Sequence, residues 1–127
     1  MSGTRERARL SELYLVEEGG TPVATFVLNR RKPGWYHNAW FADPQAESGY
    51  LTHLAVRPES QRRGIGRHAL AEAEVICRAT GLAALRFDAY QGPAGAGPFY
   101  VKCGYTLRFS NRFRGVALDY YEKVLAP

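Results

Sequence analysis

The sequence predicts an α/β (α+β) domain whose elements follow the order β-β-β-α-β-α-β-β. Three observations carry this. Short runs of branched and aromatic residues recur between turn signals, as strands do. One long stretch after Gly64 repeats apolar residues at offsets of three and four, as an amphipathic helix does. Glycine and proline cluster between these runs, at Glu17–Pro22, Arg57–Gly66 and Gln91–Pro98.

Leu13–Val16 and Val23–Leu28 are both strand-rich, and the paired glycines of Glu17–Pro22 supply the positive φ of a hairpin turn. Asn29 to Ser48 is a 20-residue connection holding Trp35, Tyr36, His37, Trp40 and Phe41. Connections of this length are uncommon unless they are functional or mobile. Its rings either cover one sheet face or form a lid or acceptor-binding wall. Gly49 to Val56 is apolar on both faces, as a central strand is. From Ile65 onward, Ile65, Ala69, Leu70, Ala73, Ile76 and Cys77 mark a helix with Gly81 at its C′ position. Ala83 to Tyr90 is the fourth strand and Phe99–Cys103 a short helix. Tyr105–Phe109 and Val116–Val124 close the order around a polar turn at Asn111–Gly115.

The 127 residues form one domain's worth of chain, and residues 1–127 are expected to fold as one domain. Hydrophobic residues at 46% and charged residues at 23% exclude a disordered or collagen-like chain. No apolar run approaches the ~20 residues of a membrane span, and Met1–Arg9 lacks a signal-peptide core. A cytoplasmic protein is expected. Cys77 and Cys103 show no metal spacing, so reduced thiols and no metal are expected.

Seventeen basic and 12 acidic residues give a net charge of +5, and 14 of the basic residues are arginine. Arginine suits phosphate, because its planar fork matches phosphate oxygens. The tightest group is Arg57, Arg62, Arg63 and Arg67. The charge balance suggests nucleic acid, a phosphorylated cofactor or simply a basic surface, and no nucleic-acid motif accompanies it, so nucleic acid is not the expected partner.

The informative stretch is Leu54-Ala-Val-Arg-Pro-Glu-Ser-Gln-Arg-Arg-Gly-Ile-Gly-Arg67. A strand enters a tight turn whose glycines open a helix, so free N–H groups converge at the positive end of the helix dipole. Gly64 and Gly66 let a phosphate approach, and the arginines add charge-assisted hydrogen bonds. The stretch is neither a P-loop, since no Lys-Ser/Thr follows, nor a Rossmann fingerprint.

Gln61-Arg-Arg-Gly64-Ile-Gly66 resembles the Gln/Arg-x-x-Gly-x-Gly/Ala signature of the GNAT superfamily of acyl-CoA-dependent N-acyltransferases. Leu54-Ala-Val-Arg-Pro58 is similar to the strand end that precedes it there. Phe99-Tyr-Val-Lys-Cys-Gly-Tyr105 is similar to the family's Phe-Tyr-x-x-x-Gly-Phe segment. The resemblance spans about Leu13 to Leu125 and implies a mixed, mostly antiparallel sheet flanked by helices.

It also implies transfer of the acetyl group from acetyl-CoA to a primary amine of a small molecule or peptide, by direct attack. Leu54, Ala55 and Val56 would pair with the pantetheine arm. The turn Gln61, Arg62, Arg63, Gly64, Ile65, Gly66 and Arg67 would hold the pyrophosphate. Tyr100 would protonate the departing thiolate, which a phenol can do when the two basicities are comparable. For the proton of the amine, His53 is the residue of its strand whose type titrates near neutrality. Strict alternation sets it opposite Tyr50 and Thr52, and Glu47 and His37 are alternatives. Asp88 either orients a substrate amine or is a solvated strand-end carboxylate.

Two departures from the family pattern stand out. Pro93 replaces the usual Asn seven residues before the tyrosine. The family's leading strand and two helices are largely missing, since twelve residues precede Leu13. Leu13–Val16 is then expected to form an open sheet edge, which predicts a homodimer. The alternatives are a monomer whose first residues fold back over that edge and, for function, a non-catalytic CoA- or nucleotide-binding module.

Overall fold

A computed structural model describes residues 2–4, 11–60, 64–91 and 96–125. Among the described residues there are seven strands: β1 (Ser2–Thr4), β2 (Ser11–Glu18), β3 (Thr21–Asn29), β4 (Gly49–Val56), β5 (Ala84–Tyr90), β6 (Thr106–Phe113) and β7 (Val116–Val124). Two α-helices accompany them, α1 (Ile65–Ala79) and α2 (Gly97–Lys102). The strands form one sheet of order β1-β2-β3-β4-β5-β7-β6. Only β4 and β5 run parallel; every other neighbouring pair is antiparallel. The expected class, a mixed and mostly antiparallel sheet with helices, is therefore present.

Local signals place most elements. Gly19 and Gly20 both have positive φ and close the two-residue turn between β2 and β3. Thr80 caps α1, leaving Gly81 beyond it with a φ of 76°. Two expectations are corrected. The last hairpin turn is Arg114–Gly115 alone, both with positive φ, so β6 runs on to Phe113 rather than ending at Phe109. The Leu13–Val16 edge is not open along its length either. The strand β1 pairs with β2, Ser2 opposite Glu17 and Thr4 opposite Val16, so the chain does supply a leading strand. The edge invoked for a homodimer is thereby partly covered.

The helix α1 covers one face of the sheet. Its apolar stripe packs with Val16, Phe26, Leu28, Leu85 and Phe87 into the main core. Gly49 lets α1 lie close, because a Cβ there would meet Cys77 Sγ at 2.6 Å. Burial pushes the Cys77 thiol up to about 12, as an apolar setting disfavours thiolate. On the opposite face a second cluster forms from Tyr36, Phe41, Tyr50 and Tyr120, with Trp35, Trp40 and Leu118 against it. The long connection between β3 and β4 supplies four of these seven rings and apolar groups, so it covers the sheet face as one of its two expected roles required.

That connection is tied to the sheet by a buried charge network. Arg86, wholly buried on β5, donates to Glu122 Oε2 at 2.8 Å, to Tyr50 Oη at 2.9 Å and to the Asp43 carbonyl at 3.0 Å. Glu122 accepts in turn from Arg108 at 2.8 Å and from the Ala42 N–H at 3.0 Å. Burying charge is costly unless it is paired and hydrogen-bonded, and here both ions are.

Candidate active site

β4 and β5 pair through Gly49–Leu85 and Tyr50–Arg86, and among the described residues their ladder ends there. A bulge accompanies the split. Along β3 the register moves from Thr25 to Val27, while on β4 it moves from Ala55 to Thr52, one residue further. His53 sits in this bulge with a φ of 55°, the left-handed region that a non-glycine residue seldom adopts. The bulge overturns the strict alternation expected of this strand, and His53 lines the same cleft as Leu51, Thr52 and Leu54.

The cleft has a volume of about 510 Å³. Its far wall comes from Phe87, Asp88, Ala89 and Tyr90 of β5, its rim from Tyr100 of α2 and Ala96 just before that helix, and its other side from Trp35. Tyr100 is half-buried, its ring held 4.8 Å from Phe87, 5.3 Å from Tyr121 and 5.5 Å from Phe99. Burial raises its hydroxyl pKa, and Tyr121, Cys103 and Asp88 push the same way. Tyr100 is thus a phenol that holds its proton in a cleft also lined by His53.

Past the cleft, β4 leads through a 3-10 turn at Pro58–Ser60 to the start of α1. Gly64, the N-cap, has a φ of 79°, and a Cβ there would meet no atom within 4 Å. The first turn of α1 carries no acidic residue. A 15-residue helix opening this way presents free N–H groups and a positive dipole end to an anion. Arg67 is exposed in that turn, beside Gly64, Ile65 and Gly66. Gln61, Arg62, Arg63 and Pro93 lie outside the described residues.

Other candidates are placed elsewhere. His37 is exposed and its ring lies 5.0 Å from Trp40. Glu47 lines a separate cavity of about 510 Å³ with Arg30, Arg31 and Lys32. Neither lines the cleft of Tyr100. Asp88 is half-buried, lines the cleft and accepts a hydrogen bond from Tyr36 Oη at 2.8 Å. Trp35, one of the rings of the long connection, joins the lining, as does Tyr90, which no local pattern marks. The Trp35–Tyr36 pair in a long connection was the available signal, since two large rings there need a surface to cover.

The family model for the Acetyltransferase (GNAT) family matches residues 3–105. The chain belongs to the GNAT acetyltransferase family. Solved structures agree on the fold. A Bacillus anthracis protein assigned as a streptothricin acetyltransferase, in complex with acetyl coenzyme A, superposes with a TM-score of 0.72 at 14% identity, over 93% of this chain and 64% of that one. A GNAT-family protein of Desulfovibrio desulfuricans gives 0.70 at 20% identity, over 91% and 69%. A Bacillus subtilis acetyltransferase in complex with CoA gives 0.69 at 14% identity, over 92% and 78%. No curated protein gives a significant match.

Proposed function

We propose that this GNAT chain is an acetyl-CoA-dependent N-acetyltransferase acting on a primary amine of a small molecule or peptide. The observation that carries the reading is Tyr100, a proton-holding phenol on a cleft opened by the divergence of β4 and β5. The glycine-opened start of α1 lies beyond the end of the same β4 strand and suits the pyrophosphate of CoA. Family membership and the CoA-bound relatives support the same choice of co-substrate.

In this reading the backbone of Leu54, Ala55 and Val56 receives the pantetheine arm. The N–H groups of Gly64, Ile65, Gly66 and Arg67 receive the phosphates, together with Gln61, Arg62 and Arg63. Bound acetyl-CoA supplies an activated acyl thioester. The residues of the chain then manage two protons. His53 takes one from the incoming ammonium, because the amine must be neutral to attack. Tyr100 gives one to the departing sulfur, so that the poor thiolate leaving group departs as a thiol. Cys77 and Cys103 are free, which suits the reducing cytoplasm as the place of action.

The test is thiol release from acetyl-CoA in the presence of primary amines. Amine-dependent release is expected. CoA binding without any release would favour the non-catalytic module instead.

A further inference from the structure

The connection between β3 and β4 does more than cover the sheet. It brings Trp35 to the cleft and Tyr36 onto Asp88, a residue 52 positions later in the chain. Tyr36 is 1% exposed and boxed by Tyr120 at 5.2 Å, Tyr50 at 5.8 Å and Phe41 at 6.2 Å. Its phenol is held protonated by burial and by the Asp88 charge, so it stays a donor. Trp35 is fixed by stacking on Phe113 at 5.1 Å and by an edge contact with Tyr36 at 5.5 Å. The backbone of the same connection is pinned by Lys32 to the Tyr36 carbonyl at 2.7 Å and by Arg86 and Glu122 at Asp43 and Ala42. These contacts hold both side chains in place.

Asp88 is the one carboxylate among the residues lining the cleft. Among the described residues it accepts a single hydrogen bond, from Tyr36, although a carboxylate has about four acceptor positions. The nearest charge along the same strand face, Arg86, is already spent on Glu122, Tyr50 and the Asp43 carbonyl. Asp88 therefore keeps spare acceptor capacity in a cleft lined by aromatic rings. A carboxylate in a cleft lined by indole and phenol rings is an environment that recognises an organic ammonium, by charge-assisted hydrogen bonds and by cation–π attraction.

We propose that Asp88, oriented by Tyr36 and walled by Trp35, is the acceptor site and selects a cationic primary amine over one that carries its own carboxylate. This rests on the acetyl-transfer reading for its meaning but not for its test. The chain as a whole is positive and repels cations, so the local carboxylate decides which amines enter. Tyr36 is a positioning residue: it touches Asp88, not the substrate.

The experiment titrates the full chain, with and without CoA, against tyramine as a cationic amine and glutamate as an acidic one, following tryptophan fluorescence. Asp88→Asn is expected to weaken tyramine binding roughly 10- to 100-fold, the loss of a hydrogen bond to a charged partner. Tyr36→Phe is expected to weaken it several-fold, and Asp88→Glu to recover part of the loss. CoA affinity should stay constant in all three variants, and glutamate should not compete. Equal tyramine affinity in the native protein and in both Asp88→Asn and Tyr36→Phe would overturn the proposal. So would the absence of a tyramine response in the native protein, or competition by glutamate at equal strength. Failure of the acetyl-transfer reading looks different: tyramine binding would still depend on Asp88, while no amine would release thiol from acetyl-CoA.

Discussion

Replacing Tyr100 by phenylalanine separates packing from proton donation. The ring contacts with Phe87, Tyr121 and Phe99 lie at 4.8, 5.3 and 5.5 Å and all survive the change. Among the described residues the Tyr100 hydroxyl has no hydrogen-bond partner to lose, so unfolding free energy should shift by about 0.5 kcal/mol or less. Turnover should fall roughly 10²- to 10⁴-fold, the usual contribution of a positioned acid, or about 3–5 kcal/mol of barrier. The pH profile adds an independent sign. Burial, followed by Tyr121, Cys103 and Asp88, raises the phenol above its ordinary value of 10.0. The protonated form is the donor, so native activity is retained through neutral pH and is lost only as pH climbs past that raised value. Thermal melts together with steady-state thiol release between neutral and alkaline pH measure all three quantities. A Tyr100→Phe enzyme turning over within about threefold of native would refute the acid role. A Tyr100-dependent loss of activity setting in well below pH 10 would contradict the raised pKa.

The remaining expectations concern the co-substrate turn, the base and the loop anchor. Gly64→Asp places a carboxylate and a strained left-handed side chain where phosphate is to sit, so CoA affinity measured by calorimetry should drop at least ~10-fold. Unchanged affinity in a folded variant would remove the pyrophosphate assignment. His53→Gln keeps polarity at the bulge but cannot take up a proton, and is expected to lower turnover by ~10²-fold with little change in the KM for acetyl-CoA. A purely structural role would instead show in the melting temperature. Arg86→Met removes a wholly buried cation from Glu122, Tyr50 and Asp43, which should cost about 3–5 kcal/mol. A thermal melt should then show Tm falling by roughly 10 °C or more; a fall of a degree or two would mean that Arg108 alone satisfies Glu122.

What could be read from the chain alone was whatever is encoded within about ten residues. The α1 stripe of Ile65, Ala69, Leu70, Ala73, Ile76 and Cys77 is a period of the helix itself, and all six are buried as that period requires. Gly19–Gly20 and Gly81 have positive φ because local backbone geometry asks for it. The helix start at Gly64-Ile65-Gly66 and the short helix within the Phe99–Tyr105 segment were legible for the same reason, since both are set by contiguous chain. The tertiary fold settled the rest, because it depends on register and on contacts between distant segments. The bulge at His53 arises from how β4 pairs with β3, which alternation along β4 alone does not reveal. The pairing of β1 with β2 depends on a weak three-residue strand that carries no signal of its own. The sequence left Asp88 open between orienting an amine and being a solvated strand-end carboxylate; only the fold brings Tyr36, 52 residues away, to 2.8 Å from it, through a connection that Arg86 and Glu122 tie to the sheet. Such charge and ring networks have no sequence period, since their partners are chosen by packing in three dimensions.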